Sequence, residues 1–510
     1  MKKIGLLLIA VVSVFSSCSD YLEVENPNAI TSDKYFSSEI DVQKAVAGIY
    51  NAIRSNSCLG ETSDLYSEER SDNAGRTDNQ SAAGTPFQFT NFTLVPTNPE
   101  MAGHWNALYT VVSRANYVLS NIDNPSVRFT NESNRAIYKS EALFLRALAY
   151  FHLVRKWGDV PMVTEFMTSY DDILASTFRV EKGLVYQQIT EDLLNALNSD
   201  IPNIQPVSGK GRTSKAAING LLGQVYLTMG SVLTDNRQAN FTKARQYLEA
   251  VYAMRSFGEL SEVPYADVFD VAKKNTCPEI IFQIVYRQGD QNYYSNVAFR
   301  NQSIGETLNS RRASTGRGFF VNSDLVNDYE TGDIRKDFSV KWADHASAKA
   351  WYITKYRDAS EAAGANGWGG NDFILMRYAD IILMLAEVNE RLGNTQEAIG
   401  YLNQARKRAG LPDYETSDAD AAYHARYPTL KLAILHERRS ELAFENHRLF
   451  DLLRAFGDSP EGFVSYFKSK KAADYGISDL NNVSVKDIYF PIPFDEHKLD
   501  PEKMYQNKGY

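Results

Sequence analysis

The chain has 510 residues, 44% of them hydrophobic and 23% charged, a balance that excludes a disordered chain and leaves room for a large core. Its formal charge of −9 excludes broad nucleic-acid binding, which needs a basic field. Aromatic residues make up 12%, with 30 tyrosines, a surplus suited to a wide core with wet edges or to a surface that grips ligands by ring faces.

Residues 1–17 read as a targeting segment. Lys2 and Lys3 form a basic start, and the apolar run 4–15 is too short to span a bilayer but suits a signal peptide. It ends at Phe15-Ser16-Ser17-Cys18, which resembles the bacterial lipobox, although Phe15 stands where leucine is usual. Cys18 is therefore the expected lipidation site, a diacylglyceryl group plus an amide-linked chain supplying more than the two signals that stable anchoring needs. An ordinary cleaved signal is the alternative. Residues 18–37 are polar and aperiodic, and read as the anchored cysteine and its tether.

A first helix is expected over 38–54, with Ile40, Ala47 and Tyr50–Ile53 inward. Residues 56–104 are loop-rich and carry Ser71-Asp72-Asn73-Ala74-Gly75-Arg76. Helices resume over 105–256, the clearest at 134–157, apolar over so wide an arc that it must be central. Gly158 and Pro161 stop it. Further helical pieces fall at 182–198, 213–229 and 241–254. The stretch 209–215 lacks P-loop spacing, and Ser214 serves better as a helix cap.

Between 257 and 370 the helical period lapses. Residues 279–286 have strand character. Tyr293, Tyr294, Arg311 and Arg312 follow, then Trp342, Trp351 and Trp368, three of the five tryptophans. Helices are expected again over 371–455. Within them 377–410 reads as two helices about a turn at Leu392-Gly393-Asn394, with Thr395 as cap, and its 34 residues match a tetratricopeptide (TPR) hairpin.

The stretch 434–454 reads as one charged helix with Glu437, Glu441 and Glu445 on one face. The Glu-x-x-His partner of a di-metal carboxylate site is missing, and Ser440 stands where a zinc protease needs a second histidine. An ion-pair network with Arg438, Arg439, Arg448 and Arg454, for example Glu445 with Arg448, is the simpler reading. No cofactor, metal or nucleophile motif appears, and no carboxylate pair is singled out for hydrolysis. Cys58 and Cys277 either pair or stay free.

Four segments together resemble the SusD/RagB family of outer-membrane lipoproteins. They are Arg146-Ala147 through Trp157-Gly158-Asp159-Val160-Pro161; Leu375-Met376-Arg377-Tyr378-Ala379-Asp380 with Ala405-Arg406-Lys407-Arg408-Ala409-Gly410; Glu437-Arg438-Arg439-Ser440-Glu441-Leu442-Ala443-Phe444-Glu445 with Arg448; and the tail Tyr489-Phe490-Pro491-Ile492-Pro493 with Gln506-Asn507-Lys508-Gly509-Tyr510. Lys508 replaces a usual proline, and Asp500-Pro501 stands for Asn-Pro. The resemblance implies a mostly α fold over 38–510, with about four TPR-like pairs and an irregular, loop-rich portion packed on them. It also implies a lipid anchor on Cys18, display on a Gram-negative cell surface, and a SusC-like TonB-dependent barrel as partner. Such proteins capture glycans, or peptides in some branches, and do no covalent chemistry. A peptide-capturing lid and a surface glycoside hydrolase are the alternatives.

Sugars present apolar C–H faces beside dense hydroxyls, so a site needs flat rings with amide or carboxylate partners. The irregular segments offer Asp72, Asn73, Tyr293, Tyr294, Trp351 and Trp368 as ligand contacts. Trp105, in a regular helix, is expected in the core.

Overall fold

A computed structural model describes residues 36–510 apart from 76–84, 304, 309–310, 313–319, 347, 365, 458 and 477–478. The expected signal peptide (1–17), Cys18 and the tether up to 35 lie outside the described residues.

Eight helices pack in succession: α1 (Glu39–Ile53), α2 (Pro99–Asn121), α3 (Ser133–Trp157), α4 (Lys182–Ala196), α5 (Lys215–Val232), α6 (Arg237–Ala253), α7 (Tyr378–Leu392) and α8 (Thr395–Arg408). Each lies against the next, as four stacked pairs require. The fold is mostly α and TPR-like, with few and small sheets. Helix α3 is central, buried on nearly every side from Tyr138 to Trp157. It stops at Gly158, whose φ of +74° opens a left-handed exit. Ser214 caps α5 by accepting the Ala217 N–H at 3.2 Å. Gly393, at φ +80°, closes α7 with a left-handed cap.

Several boundaries differ from expectation, each for a local reason. Helix α2 starts at Pro99, not at 105, because Asn98 accepts the Met101 N–H at 2.9 Å and proline fits the first helical position. The cap position of α8 is Asn394 rather than Thr395. Residues 371–377 are not helical. Phe373–Arg377 (β4) pairs antiparallel with Ile280–Ile284 (β1), and Asp372 anchors the entry by accepting from the Tyr286 N–H and Lys274 Nζ, both at 2.8 Å. A hairpin of Val340–His345 (β2) and Ala348–Ile353 (β3) also occupies the segment expected to be irregular. Cys58 and Cys277 are both buried and unpaired.

The single helix expected over 434–454 is two: α9 (Leu430–Leu442) and α10 (Arg448–Ala455). Phe444 and Asn446, at φ +67° and +66°, turn the chain between them. The turn lets the Phe444 N–H reach Glu68 Oε1 at 2.7 Å and brings the Glu445 carboxylate to Arg377 and Lys355.

The ion pairs form, but across the fold rather than along one helix. Glu441 binds Arg377 at 2.7 Å, Arg335 at 3.0 Å and Arg408. Glu437 binds Arg335 at 2.6 Å and Arg406 at 3.2 Å. Arg438 meets Asp380 and Asp451 at 2.8 and 2.9 Å, and Arg439 meets Asp72, Asp324 and Asp328. Arg448 pairs with Asp72 at 2.7 Å, not with Glu445. Helix α9 is thus a charged rod inside the protein, bonded on one side to α7 and α8 and on the other to the loop-rich half.

Burial alone would raise the Glu441 carboxyl, but Arg408, Arg377 and Arg335 outweigh it and hold it well below the usual range. Glu445 is held down against burial by Arg377 and Lys355, and Asp72 by Arg439 and Arg448. Arg377→Ala would leave Glu279, Glu441 and Glu445 short of a buried partner, and should cost about 3–5 kcal/mol in urea unfolding. Lys407→Ala, which breaks an exposed pair with Glu259, should leave the midpoint unchanged. The folded values of these carboxyls lie below the unfolded ones, so their stabilisation is complete above about pH 4.5 and drains away as pH falls. The urea midpoint should therefore drop steeply between about pH 4.5 and pH 2, and less steeply in Arg377→Ala.

Candidate functional site

The irregular half carries Tyr293, Tyr294 and Trp368 on two loops that are tied together. Residues 287–296 turn back on themselves through Arg287 N–H to Tyr293 O at 2.7 Å. They join the glycine-rich segment 364–370 through Gly289 N–H to Trp368 O, and through paired bonds between Ser295 and Gly369, at 2.8–3.0 Å. Gly369 is required there, since a Cβ would stand 2.9 Å from Ser295 O.

Buried carboxylates fix both loops from below. Asp358 accepts from Gln288 Nε2 at 2.7 Å and from the Gly370 N–H at 2.8 Å. Glu61 accepts from Ser295 Oγ at 2.8 Å and from the Asn296 N–H. Burial pushes the Glu61 carboxyl up, against the pull of Ser295 and Arg300.

On this frame Tyr294 and Trp368 meet with ring centroids 6.2 Å apart, tilted by 39°, both half-buried. Tyr293 is 45% exposed, with the Arg54 guanidinium 4.5 Å over its ring. It borders a cleft of about 350 Å3 that also holds Gln43, Asn51 and Arg212. A ring face beside amide and guanidinium donors is the combination that a sugar requires. Trp351 belongs to the β2–β3 hairpin, where it faces Trp342 across the strands at 5.6 Å. Trp342 is itself 45% exposed.

Asp72 and Asn73 are not part of this surface. Both are fully enclosed. Asp72 binds Arg448 at 2.7 Å and accepts from Tyr466 Oη at 2.6 Å. Asn73 donates to Glu68 at 2.8 Å and accepts from Arg439 at 2.9 Å. Their polar, glycine-flanked sequence looks like a solvent loop, but every polar side-chain atom of the two is taken by the buried network. Trp105 is in the core, as expected.

Sequence reasoning missed Arg54, which reaches Tyr293 from the end of α1, and Asn51 and Gln43 of α1, which line the same cleft. Their only sequence signal is polarity on a helix, which solvent explains equally well.

Two family models match the chain: one described as "SusD family" over residues 340–510, and one as "Starch-binding associating with outer membrane" over 20–227. The SusD-like protein P2 of Formosa agariphila is 27% identical over the whole of both chains, and a SusD-like protein of Bacteroides ovatus is 22% identical over 92% of this chain and 85% of its own. The chain belongs to the SusD/RagB family. Solved relatives share the SusD fold. Surface glycan-binding protein A from Bacteroides uniformis superposes with a TM-score of 0.75 at 22% identity, covering 92% of this chain and 99% of that one. A laminarin-binding SusD-like protein gives 0.69 at 24% identity, covering 93% and 100%.

Among the described residues of this SusD-family chain, no group of three His, Cys, Asp or Glu side chains comes together to hold a metal ion. None of the described helices is long and apolar enough to cross a membrane. Trp105 and Trp157 are buried, whereas Trp342, Trp351 and Trp368 reach the surface. Replacing those three by phenylalanine is therefore expected to remove the acrylamide-quenchable part of the tryptophan emission. Quenching that persists in the triple variant would mean that the core pair is accessible.

Proposed function

We propose that this protein is a cell-surface glycan-binding lipoprotein. It holds an oligosaccharide against Tyr294 and Trp368, with Tyr293 and Trp351 as further ring contacts, and releases it unaltered to a SusC-like TonB-dependent outer-membrane barrel. The observation that carries the reading is the ring pair of Tyr294 and Trp368 on loops pinned by buried carboxylates. Ring faces held in place cost little entropy when a sugar stacks on them. Support also comes from relatives named for glycan or laminarin binding. Anchoring through an acylated Cys18 fits the outer-membrane association in one family description.

Electrophoresis through gels containing laminarin, starch or other polysaccharides tests the binding. At least one glycan should retard the wild-type protein, with unchanged reducing ends after incubation. Trp368→Ala should weaken binding about tenfold, the worth of one stacked ring. Retardation by none of the glycans would refute the reading, and release of new reducing ends would make the protein a glycosidase.

Fractionation of cells carrying Cys18→Ala tests the anchor. The variant is expected in the soluble fraction with its fold intact. Its recovery with membranes in the absence of any barrel partner would contradict lipidation at Cys18.

A further inference from the structure

A second cavity, of about 900 Å3, opens between α3, α4 and α5 on one side and α10, the following helix and the C-terminal tail on the other. None of its lining residues belongs to the aromatic loops described above. Most of its wall is apolar, including Val154, Val232, Phe456, Phe463 and Val485. Its polar share comes from side chains that include Lys182, Ser484, Lys486 and Asn507.

At its inner wall stands Arg155, only 8% exposed. Its guanidinium lies between the rings of Phe151 and Phe450, 3.8 and 3.7 Å from their centroids. Nε donates to Phe151 O at 3.2 Å, and Nη2 lies 3.5 Å from His152. Among the described residues Nη1 has no hydrogen-bond partner, and no carboxylate comes within ion-pair distance. The contrast with the ion network is sharp, since Arg335, Arg377 and Arg439 each meet two or more carboxylates. Burial draws the Arg155 guanidinium down to about 9, the effect expected of a buried cation short of counter-charge.

The same wall carries Tyr186, 2% exposed, whose hydroxyl makes no hydrogen bond among the described residues. The two groups are near enough to influence each other's charge. A buried guanidinium and a phenol that both lack acceptors make a pair of donors for one carboxylate, and the wall around them suits a hydrocarbon.

We propose that this cavity binds an apolar carboxylic acid, its carboxylate held by Arg155 and Tyr186 and its alkyl or aryl body lying against Phe456, Phe463 and Val485. The ring sandwich presets the guanidinium plane, so a carboxylate meets it edge-on with little reordering.

Calorimetric titration of the full-length protein with decanoate, naphthylacetate and phenylbutyrate tests this, with phenylbutanol as the neutral counterpart. At least one acid should bind, and phenylbutyrate should bind about tenfold or more tightly than phenylbutanol. Arg155→Met, which keeps a slim chain between the two rings, should reduce the acid to the alcohol's level. Tyr186→Phe should give a partial loss, and retardation by polysaccharide should be untouched in both variants. Equal binding of phenylbutyrate and phenylbutanol by the wild type, or binding of none of the acids, would overturn the proposal. So would wild-type affinity for the acid in Arg155→Met. Should that variant not fold, the acid-to-alcohol ratio in the wild type and the Tyr186→Phe titration decide.

Discussion

Charges buried around α9 are the constraint on which the rest of the structure depends. Glu437, Glu441, Arg438 and Arg439 lie on one short helix, and each is fully enclosed. Removing such groups from water is expensive, and the expense is offset only where every charge finds partners at close range. The partners come from the end of β4 through Arg377, from α7 and α8 through Asp380, Arg406 and Arg408, and from the loop-rich half through Asp72, Asp324, Asp328 and Arg335. Apolar packing tolerates small slips between surfaces. A lattice of guanidinium–carboxylate pairs does not, so the network fixes how the irregular half sits on the helices.

That fixed placement matters for the surface. Loops 287–296 and 364–370 have little regular structure of their own, yet buried Asp358 and Glu61 pin them, and the second loop runs on through Asp372 into β4, which pairs with β1. β4 runs directly into Arg377, at the centre of the ion network. The aromatic surface is therefore two steps from the buried charges: Arg377 locks β4, and the segment leading into β4 carries Trp368. Rings presented in this way are ordered before any ligand arrives.

The helical hairpins were legible because their signals are local. Gly393 ends α7, Gly158 ends α3 and Ser214 caps α5, each through contacts within a few residues. Family resemblance supplied the overall architecture. What stayed hidden depends on distant partners. Asp72 reads as solvent-facing because the arginine that claims it lies 376 residues away. The run 434–454 reads as one helix because only the pull of Glu68, Arg377 and Lys355 on Phe444 and Glu445 explains the turn. The β2–β3 hairpin lacks an Asn-Gly or Asp-Gly turn, the strongest short-range mark of such a unit. Tyr293, Tyr294, Trp351 and Trp368 could be picked out as rings of the segment without helical period, whereas the contribution of Arg54, at the end of α1, could not.

On this view the buried charges make the helical stack and the loop-rich half a single cooperative unit. Native-state hydrogen–deuterium exchange tests it most directly, because it reports the opening free energy of each segment. Amides in α9, in β4 and in residues 68–75 are expected to exchange with one common opening free energy, equal to that of global unfolding. Exchange of residues 68–75 or β4 through a markedly cheaper opening, while α7 and α8 stay protected, would show that the two halves come apart independently and would contradict the account.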